Sequence, residues 1–124
     1  MPIPYRSELT PFLEEFAVEH RGVRLGKMFG LPAVYAGRKL FACLIEEGII
    51  IRLPDEIARR ELRAGGKPYS RRGGKPMGTW IMYEPRSAAA ASRRLTRVLE
   101  IAARHVARRQ TEELTGVTGV KWRS

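Results

Sequence analysis

The chain has 124 residues and a formal net charge of +10, with 44% hydrophobic and 29% charged residues. This length can bury a core without disulfides, and the ordinary globular composition excludes wholesale disorder. A single cysteine, Cys43, excludes an intrachain disulfide and a multi-cysteine metal site. No apolar run approaches the roughly 20 residues of a membrane span, and the N-terminus has no signal-peptide pattern, so we expect a cytoplasmic protein with no membrane contact.

The positive charge is concentrated in the second half of the chain. Residues 1–58 carry seven Lys or Arg against eight acids, a net of −1, whereas residues 59–124 carry sixteen bases against five acids, a net of +11. Clustered Lys and Arg favour polyanionic partners, because binding releases condensed counterions. A basic surface without a partner is the alternative interpretation, since net charge alone speaks only to solubility and non-specific binding.

The first predicted element is an amphipathic helix. Apolar residues recur from Leu9 at helical spacing, and glutamates occupy the opposite side. Ser7 or Thr10 can cap its start, Pro11 suits a first turn, and Gly22 ends it.

Four short runs rich in β-branched and aromatic residues follow, at 23–25, 33–35, 40–45 and 49–53. Short glycine- and proline-containing links between such runs are typical of hairpins, which predicts an antiparallel meander. The near-continuous apolar run 40–45 indicates a central strand that is covered on both faces.

The second half alternates helix and strand. Pro54 and the two acids after it open a short helix to about Ala64, and residues 66–76 form a predicted glycine-rich loop. A strand over 79–83 precedes a helix from Ser87 or Ser92, whose apolar stripe includes Leu95, Leu99, Ala102 and Val106. Residues 110–124 show little periodicity and predict a frayed tail or a docking segment.

These elements predict an α+β fold with the order α, three or four strands, α, β, α. An antiparallel meander sheet packs against the N- and C-terminal helices. No domain boundary is visible, so we expect residues 1–124 to form one domain with a core over about 7–109 and a tail over 110–124.

The segment 59–75 carries seven bases and one acid, Glu61. Arginines beside an aromatic residue can bind phosphates and stack on a base, so this segment predicts a weak, salt-dependent nucleic-acid site. The candidate site residues are Arg59, Arg60, Arg63, Lys67, Tyr69, Arg71, Arg72 and Lys75.

The last helix carries a second basic feature. At 100° per residue, four of its arginines lie within about 60° of one another, opposite the apolar stripe. They are Arg93, Arg97, Arg104 and Arg108. Glu100 lies among them and is expected to pair with Arg97 or Arg104, which favours a solvated, salt-bridged face.

No residue pattern predicts catalysis, a cofactor or a metal. Cys43 has apolar neighbours and is expected to be buried, because free cysteine is among the most buried residue types. His20 falls at a helix end and His105 at the edge of an apolar stripe, and neither has ligands at metal spacing. The sequence therefore predicts a non-enzymatic protein.

Three motifs carry a family resemblance: Gly26-Lys27-Met28-Phe29-Gly30, residues 37–42 (GRKLFA) and residues 51–54 (IRLP). Together with residues 74–77 (GKPM), Trp80 and Tyr83, they make the chain resemble the N-terminal domain of the TfoX/Sxy family, within the YjbR-like group, over roughly residues 10–108. The resemblance implies a small α+β domain, and founding members of the family regulate natural-competence transcription in bacteria. The chain departs from the pattern at Leu31-Pro32, and we expect it to be a stand-alone domain.

Within this motif we expect Phe29 to lie in the core between the sheet and the first helix, with Gly30 supplying a special backbone conformation. Two functions remain open. The first is a bacterial regulatory or accessory domain with weak, non-specific nucleic-acid binding linked to transcription regulation. The alternative is a protein-interaction module, a homodimer, without nucleic-acid binding.

Overall fold

The structure is a computed structural model that describes residues 3–70 and 76–119, and of residues 76, 77 and 110–119 it describes only the backbone. A 3-10 turn at Ser7–Leu9 precedes the first helix. The elements are α1 (Thr10–Glu19), β1 (Val23–Met28), β2 (Leu31–Ala36), β3 (Lys39–Leu44), β4 (Ile49–Arg52), α2 (Asp55–Arg63), β5 (Lys67–Ser70), β6 (Pro76–Tyr83) and α3 (Ala88–Gly119).

The strands form one six-stranded sheet in the order β1-β2-β3-β4-β6-β5, and every neighbouring pair is antiparallel. Strands β1 to β4 are joined in sequence by short turns, so the predicted meander is confirmed. Helices pack on one face of this sheet, which confirms the predicted α+β class with N- and C-terminal helices against the meander.

The segment predicted as a loop over 66–76 contains strand β5. Lys67 pairs with Met82 and Ser70 with Pro76 on β6, so β6 is longer than predicted and the sheet gains an edge strand. Lysine, proline and glycine are depleted in strands, which is why the composition of this segment indicates a loop. Pro68 is tolerated because an edge strand leaves one side of its backbone unpaired.

The main core lies between the sheet and the helices. It confirms the predicted apolar stripes of α1, with Phe12, Leu13 and Phe16 buried, and of α3, where the stripe from Leu95 to Val106 is buried. Helix α3 begins at Ala88, and the Ala90 N–H donates to the Ser87 hydroxyl at 3.1 Å, which identifies Ser87 as the cap. Helix α3 then continues to Gly119, beyond the end near residue 109 that the periodicity predicts.

The opposite face of the sheet, which we call the open face, has a second apolar cluster. Its four buried residues are Ala33, Cys43, Ile45 and Ile50. Seven partly buried side chains surround them: Met28, Leu31, Tyr35, Leu40, Tyr69, Trp80 and Met82. No helix residue in the described part of the chain belongs to this cluster. Residues 41–45 are buried as predicted and Leu40 is half-buried, but among the described residues helices cover only one of the two faces.

Phe29 is not in the core. It forms the two-residue turn between β1 and β2 with Gly30, and their φ angles are +53° and +82°. Two positive φ angles are typical of a tight two-residue hairpin turn. The turn lies beyond the ends of β1 and β2, so its side chains are outside the packed part of the sheet. The Phe29 side chain is 67% exposed, so the expectation of a core position is wrong, whereas the special conformation of Gly30 is confirmed.

None of the helices within residues 3–70 and 76–119 is both long enough and apolar enough to cross a membrane.

Candidate nucleic-acid interface

Helix α2 presents the first three residues of the predicted site to solvent. Pro54 lies at its N-cap and two acids occupy its first turn, where the helix dipole favours negative charge. Ala58 is buried and Ile57 is half-buried, so these two residues mark the face of α2 that packs against the core. The three exposed arginines are Arg59, Arg60 and Arg63, which we call the α2 arginines.

The acid of this segment does not neutralise the α2 arginines. The Tyr83 hydroxyl donates a hydrogen bond of 2.7 Å to the Glu61 carboxylate, which turns the acid inward toward β6. Burial, and then the hydrogen bond to Glu61, raise the pKa of Tyr83, while the positive charges of Arg94 and Arg60 oppose that rise. Among the described residues, none of the α2 arginines forms an ion pair with a carboxylate within 4.0 Å.

Arg94 extends this positive surface from α3 toward α2. Its guanidinium lies near Gly65, just past the end of α2, and its charge reaches the same Tyr83 hydroxyl as that of Arg60. Nothing in the sequence singles out Arg94, because α3 lies beside α2 only in the packed structure.

Strand β5 divides the predicted site between two faces of the sheet. Pro68 and Arg59 line one groove on the helix side, whereas Tyr69 packs into the cluster of the open face. Lys67 is exposed and its Nζ lies 3.3 Å from the Glu84 carboxylate. The α2 arginines and Tyr69 therefore do not form the single surface that the sequence predicts. Arg71, Arg72 and Lys75 lie outside the described residues.

The long helix α3 has its predicted arginine face, with Arg93, Arg97, Arg104 and Arg108 exposed. Its acid is engaged elsewhere: the Glu100 carboxylate accepts a hydrogen bond of 3.0 Å from His20 Nε2. The expected pairing of Glu100 with Arg97 or Arg104 is wrong, because α1 ends directly against α3 and brings His20 closer.

A groove of about 580 Å³ adjoins this His20–Glu100 pair, between the end of α1, β2 and α3. His20 Nδ1 also donates to the Phe16 carbonyl at 2.9 Å, so both ring nitrogens are occupied by intramolecular acceptors. The hydrogen bond to Glu100 is the main cause that raises the pKa of His20. The pair links two helices.

Cys43 is buried, as predicted, with 2% of its surface exposed. Burial raises its pKa to about 12, which makes it a poor nucleophile. No group of three or more His, Cys, Asp or Glu suited to a metal ion occurs within the part of the chain that the structure describes.

The open face is the feature that sequence reasoning missed. Tyr35 and Trp80 fall on strand-like runs, where aromatic residues usually fill a core, whereas Tyr69 falls in the predicted loop. In the structure all three share one face of the sheet, half-buried, and none of the described helices packs over them. One signal in the sequence could have shown this face. The predicted strands are apolar on both sides, whereas the predicted helices can cover only one face of the sheet.

Comparison with known proteins adds no further assignment: no family model matches the chain, and no curated protein shows significant similarity to it.

Proposed function

We propose that this domain is a non-enzymatic nucleic-acid-binding module that binds backbone phosphates weakly and without sequence preference. The observation that carries the proposal is the set of α2 arginines, which are exposed and have no carboxylate partner within the described residues. Arginine guanidinium groups bind phosphate oxygens in a bidentate way, and such contacts position a protein on nucleic acid without reading its sequence.

The biological part of the proposal rests on the resemblance to the TfoX/Sxy N-terminal domain. That resemblance supports a bacterial, cytoplasmic domain with a regulatory or accessory role in transcription. Membership of the family and the regulatory role are both hypotheses, and the phosphate-binding chemistry stands independently of them.

The test is a salt titration with fluorescently labelled DNA. We expect the wild-type protein to bind duplex and single-stranded oligonucleotides with a dissociation constant of about 10⁻⁴–10⁻⁶ M at physiological salt. The triple variant Arg59→Gln/Arg60→Gln/Arg63→Gln should bind about tenfold or more weakly at 50 mM salt, and each lost phosphate contact should lower the salt slope by about one. Glutamine preserves helix propensity and the side-chain stem.

A matched variant separates a specific surface from total charge. Arg93→Gln/Arg97→Gln/Arg104→Gln removes the same three charges from the exposed face of α3. We expect it to lose less affinity than the α2 variant. Equal losses would point to net charge alone. If the wild-type protein shows no salt-dependent retention of DNA or RNA at about 50 mM salt, where phosphate contacts are strongest, the proposal fails.

The alternative function is a protein-interaction module that forms a homodimer. The observation in its favour is the open face, since exposed apolar patches often mark interaction sites. Light scattering over a range of protein concentrations measures this directly, because a homodimer doubles the molar mass above its dissociation constant.

A further inference from the structure

The open face carries two pairs of a cation and an aromatic ring, one on β1 and β2 and the other on β4 and β6, with apolar β3 between them. By strand register, Arg24 on β1 lies opposite Tyr35 on β2, and Arg52 on β4 lies opposite Trp80 on β6. Tyr69 on the edge strand β5 packs on the same face. At about 4.8 Å per strand, Tyr35 and Trp80 are roughly 14 Å apart, a span that suits two or three stacked bases.

The first pair is held in a fixed geometry. The Arg24 guanidinium lies 4.5 Å from the centre of the Tyr35 ring, and the Tyr35 hydroxyl donates to the Lys27 carbonyl at 2.7 Å. Gly26 permits this arrangement, because a Cβ there would come within 3.0 Å of the ring. Because the guanidinium covers one face of the Tyr35 ring, a base would stack on the other face of the ring or on the guanidinium itself, and both kinds of planar surface stack with nucleic-acid bases.

The second pair is open to a ligand. Trp80 is half-buried and lines a shallow groove together with Arg52, Gly78 and Thr79. Arg52 lines this groove and also a second one with Lys39, Val106 and Arg109, and its charge reaches His105 on α3. It therefore lies at the border between the open face and the helix layer, where it would meet a backbone phosphate rather than a base.

Charge decides which occupant the open face fits. Within the strands, the described positions that point to this face carry Arg24, Arg52 and Lys67. Glu84, just past the end of β6, pairs with Lys67 at 3.3 Å, which leaves Arg24 and Arg52 as the cations of this face without a carboxylate partner among the described residues. A second copy docked face to face would bring these cations against like charges, on a chain whose net charge is already +10. A polyanion with flat aromatic faces complements both the cations and the rings.

We propose that the open face binds single-stranded nucleic acid, with bases stacked on Tyr35 and Trp80 and phosphates held by Arg24 and Arg52. This inference rests on the proposed nucleic-acid function and names the form of nucleic acid that the domain prefers. A duplex keeps its bases stacked on each other and cannot offer their faces to the rings, whereas the α2 arginines bind phosphates of either form.

The experiment compares a 15-nucleotide oligo(dT) with a 15-base-pair duplex, using the 124-residue chain with Trp122→Phe so that Trp80 is its one remaining tryptophan. We expect oligo(dT) to bind at least tenfold more tightly than the duplex and to quench Trp80 fluorescence. Trp80→Leu should weaken oligo(dT) binding about 5- to 150-fold, the range of one lost stacking contact, and leave duplex binding unchanged.

Two further variants serve as controls. One tests whether the Trp80→Leu effect is due to misfolding, and the other separates the open face from the α2 arginines. Trp80→Phe keeps an aromatic face and should retain most oligo(dT) affinity, so a loss in Trp80→Leu alone reports stacking. The triple α2 variant should weaken oligo(dT) and duplex binding alike. Thermal denaturation of each variant confirms that it is folded.

Each contrary result has a distinct meaning. Equal binding of oligo(dT) and duplex, with Trp80 fluorescence unchanged, overturns the open-face inference and leaves the phosphate-binding proposal in place. Absence of binding to both oligonucleotides overturns the two together. A concentration-dependent dimer that Trp80→Leu abolishes assigns the open face to a second copy and also overturns the inference.

Discussion

Phe29 combines two features that do not favour stability. Its backbone is in the left-handed region, which costs a residue with a side chain roughly 1–2 kcal/mol, and its ring is 67% exposed. Asparagine and glycine are the usual residues at such turn positions.

We expect Phe29→Asn to leave the free energy of unfolding unchanged or to raise it by up to about 1 kcal/mol, because asparagine tolerates the left-handed conformation. Phe41→Ala is the matched control, since Phe41 is fully buried and should lose about 3–5 kcal/mol. Urea denaturation measures both. If Phe29→Asn lowered the free energy of unfolding as much as the control does, Phe29 would be a core residue after all.

Cys43 lies under the centre of the open face, and its thiol contacts the Leu44 carbonyl at 3.3 Å. With a pKa of about 12 it is almost entirely protonated at pH 8, whereas an exposed thiol is partly ionised. We expect a thiol reagent at pH 8 to label the native protein at least about 100-fold more slowly than the urea-unfolded protein. Rapid native labelling, in a protein shown to be folded, would contradict the buried position.

Helices α1 and α3 are connected at one end by the imidazole of His20. Both of its nitrogens face acceptors, Glu100 and the Phe16 carbonyl, and a ring that donates twice must carry a proton on each nitrogen. The ring also stacks on Phe16 with its centre 3.9 Å away. The protonated form is therefore the one that holds α1 against α3.

The raised pKa of His20 makes this link dependent on pH. Its contribution to stability is fully present below the unfolded pKa of about 6.5 and is lost as the pH rises through the higher folded value. We expect the Tm difference between wild type and His20→Gln to be largest near pH 6 and to shrink toward pH 9. A difference that stays constant over this range would show that His20 acts through packing alone.

His105 provides a control of opposite sign. Burial, followed by the charges of Arg109, Arg52 and Arg108, lowers its pKa, so its contribution is lost as the pH falls. The Tm difference for His105→Gln should therefore grow toward higher pH. In the wild-type protein the opposite effects of His20 and His105 on Tm partly cancel. The Tm difference between wild type and each single variant therefore shows the pH dependence of one histidine at a time.

The two edge strands of the sheet limit how one molecule can associate with another. Strand β1 carries Arg24 and Lys27, and β5 carries Lys67 and Pro68. Charged residues and proline on an edge discourage the addition of strands from another molecule. Self-association through the sheet would therefore have to use the open face, which is the surface that the Trp80 variants test.

In the molecule as a whole, the helices and the sheet separate two kinds of positive surface. The α2 arginines and Arg94 belong to the helix layer, where they can contact phosphates but have no exposed aromatic partner described beside them. Arg24 lies over the Tyr35 ring on the open face, and Arg52 lines the groove of Trp80 at the border with the helix layer. The first surface suits any polyanion, and the second suits one with accessible bases.

Periodicity was enough to predict the helices, the meander and the α+β class. The stripe of α1 through Phe12 and Phe16, and that of α3 through Leu95 and Leu99, are local patterns that the packed structure retains. Burial of Cys43 followed in the same way, because its neighbours in the chain are also its neighbours in the strand. Local spacing determines such features without knowledge of what lies across the core.

Tertiary packing decided the features that depend on partners distant in the chain. Strand β5 exists because β6 offers it an edge, although its own composition favours a loop. Glu100 binds His20, 80 positions away, and not the arginines beside it. The open face arose because every helix packs on the same side of the sheet, a choice of side that no pattern within a single element encodes.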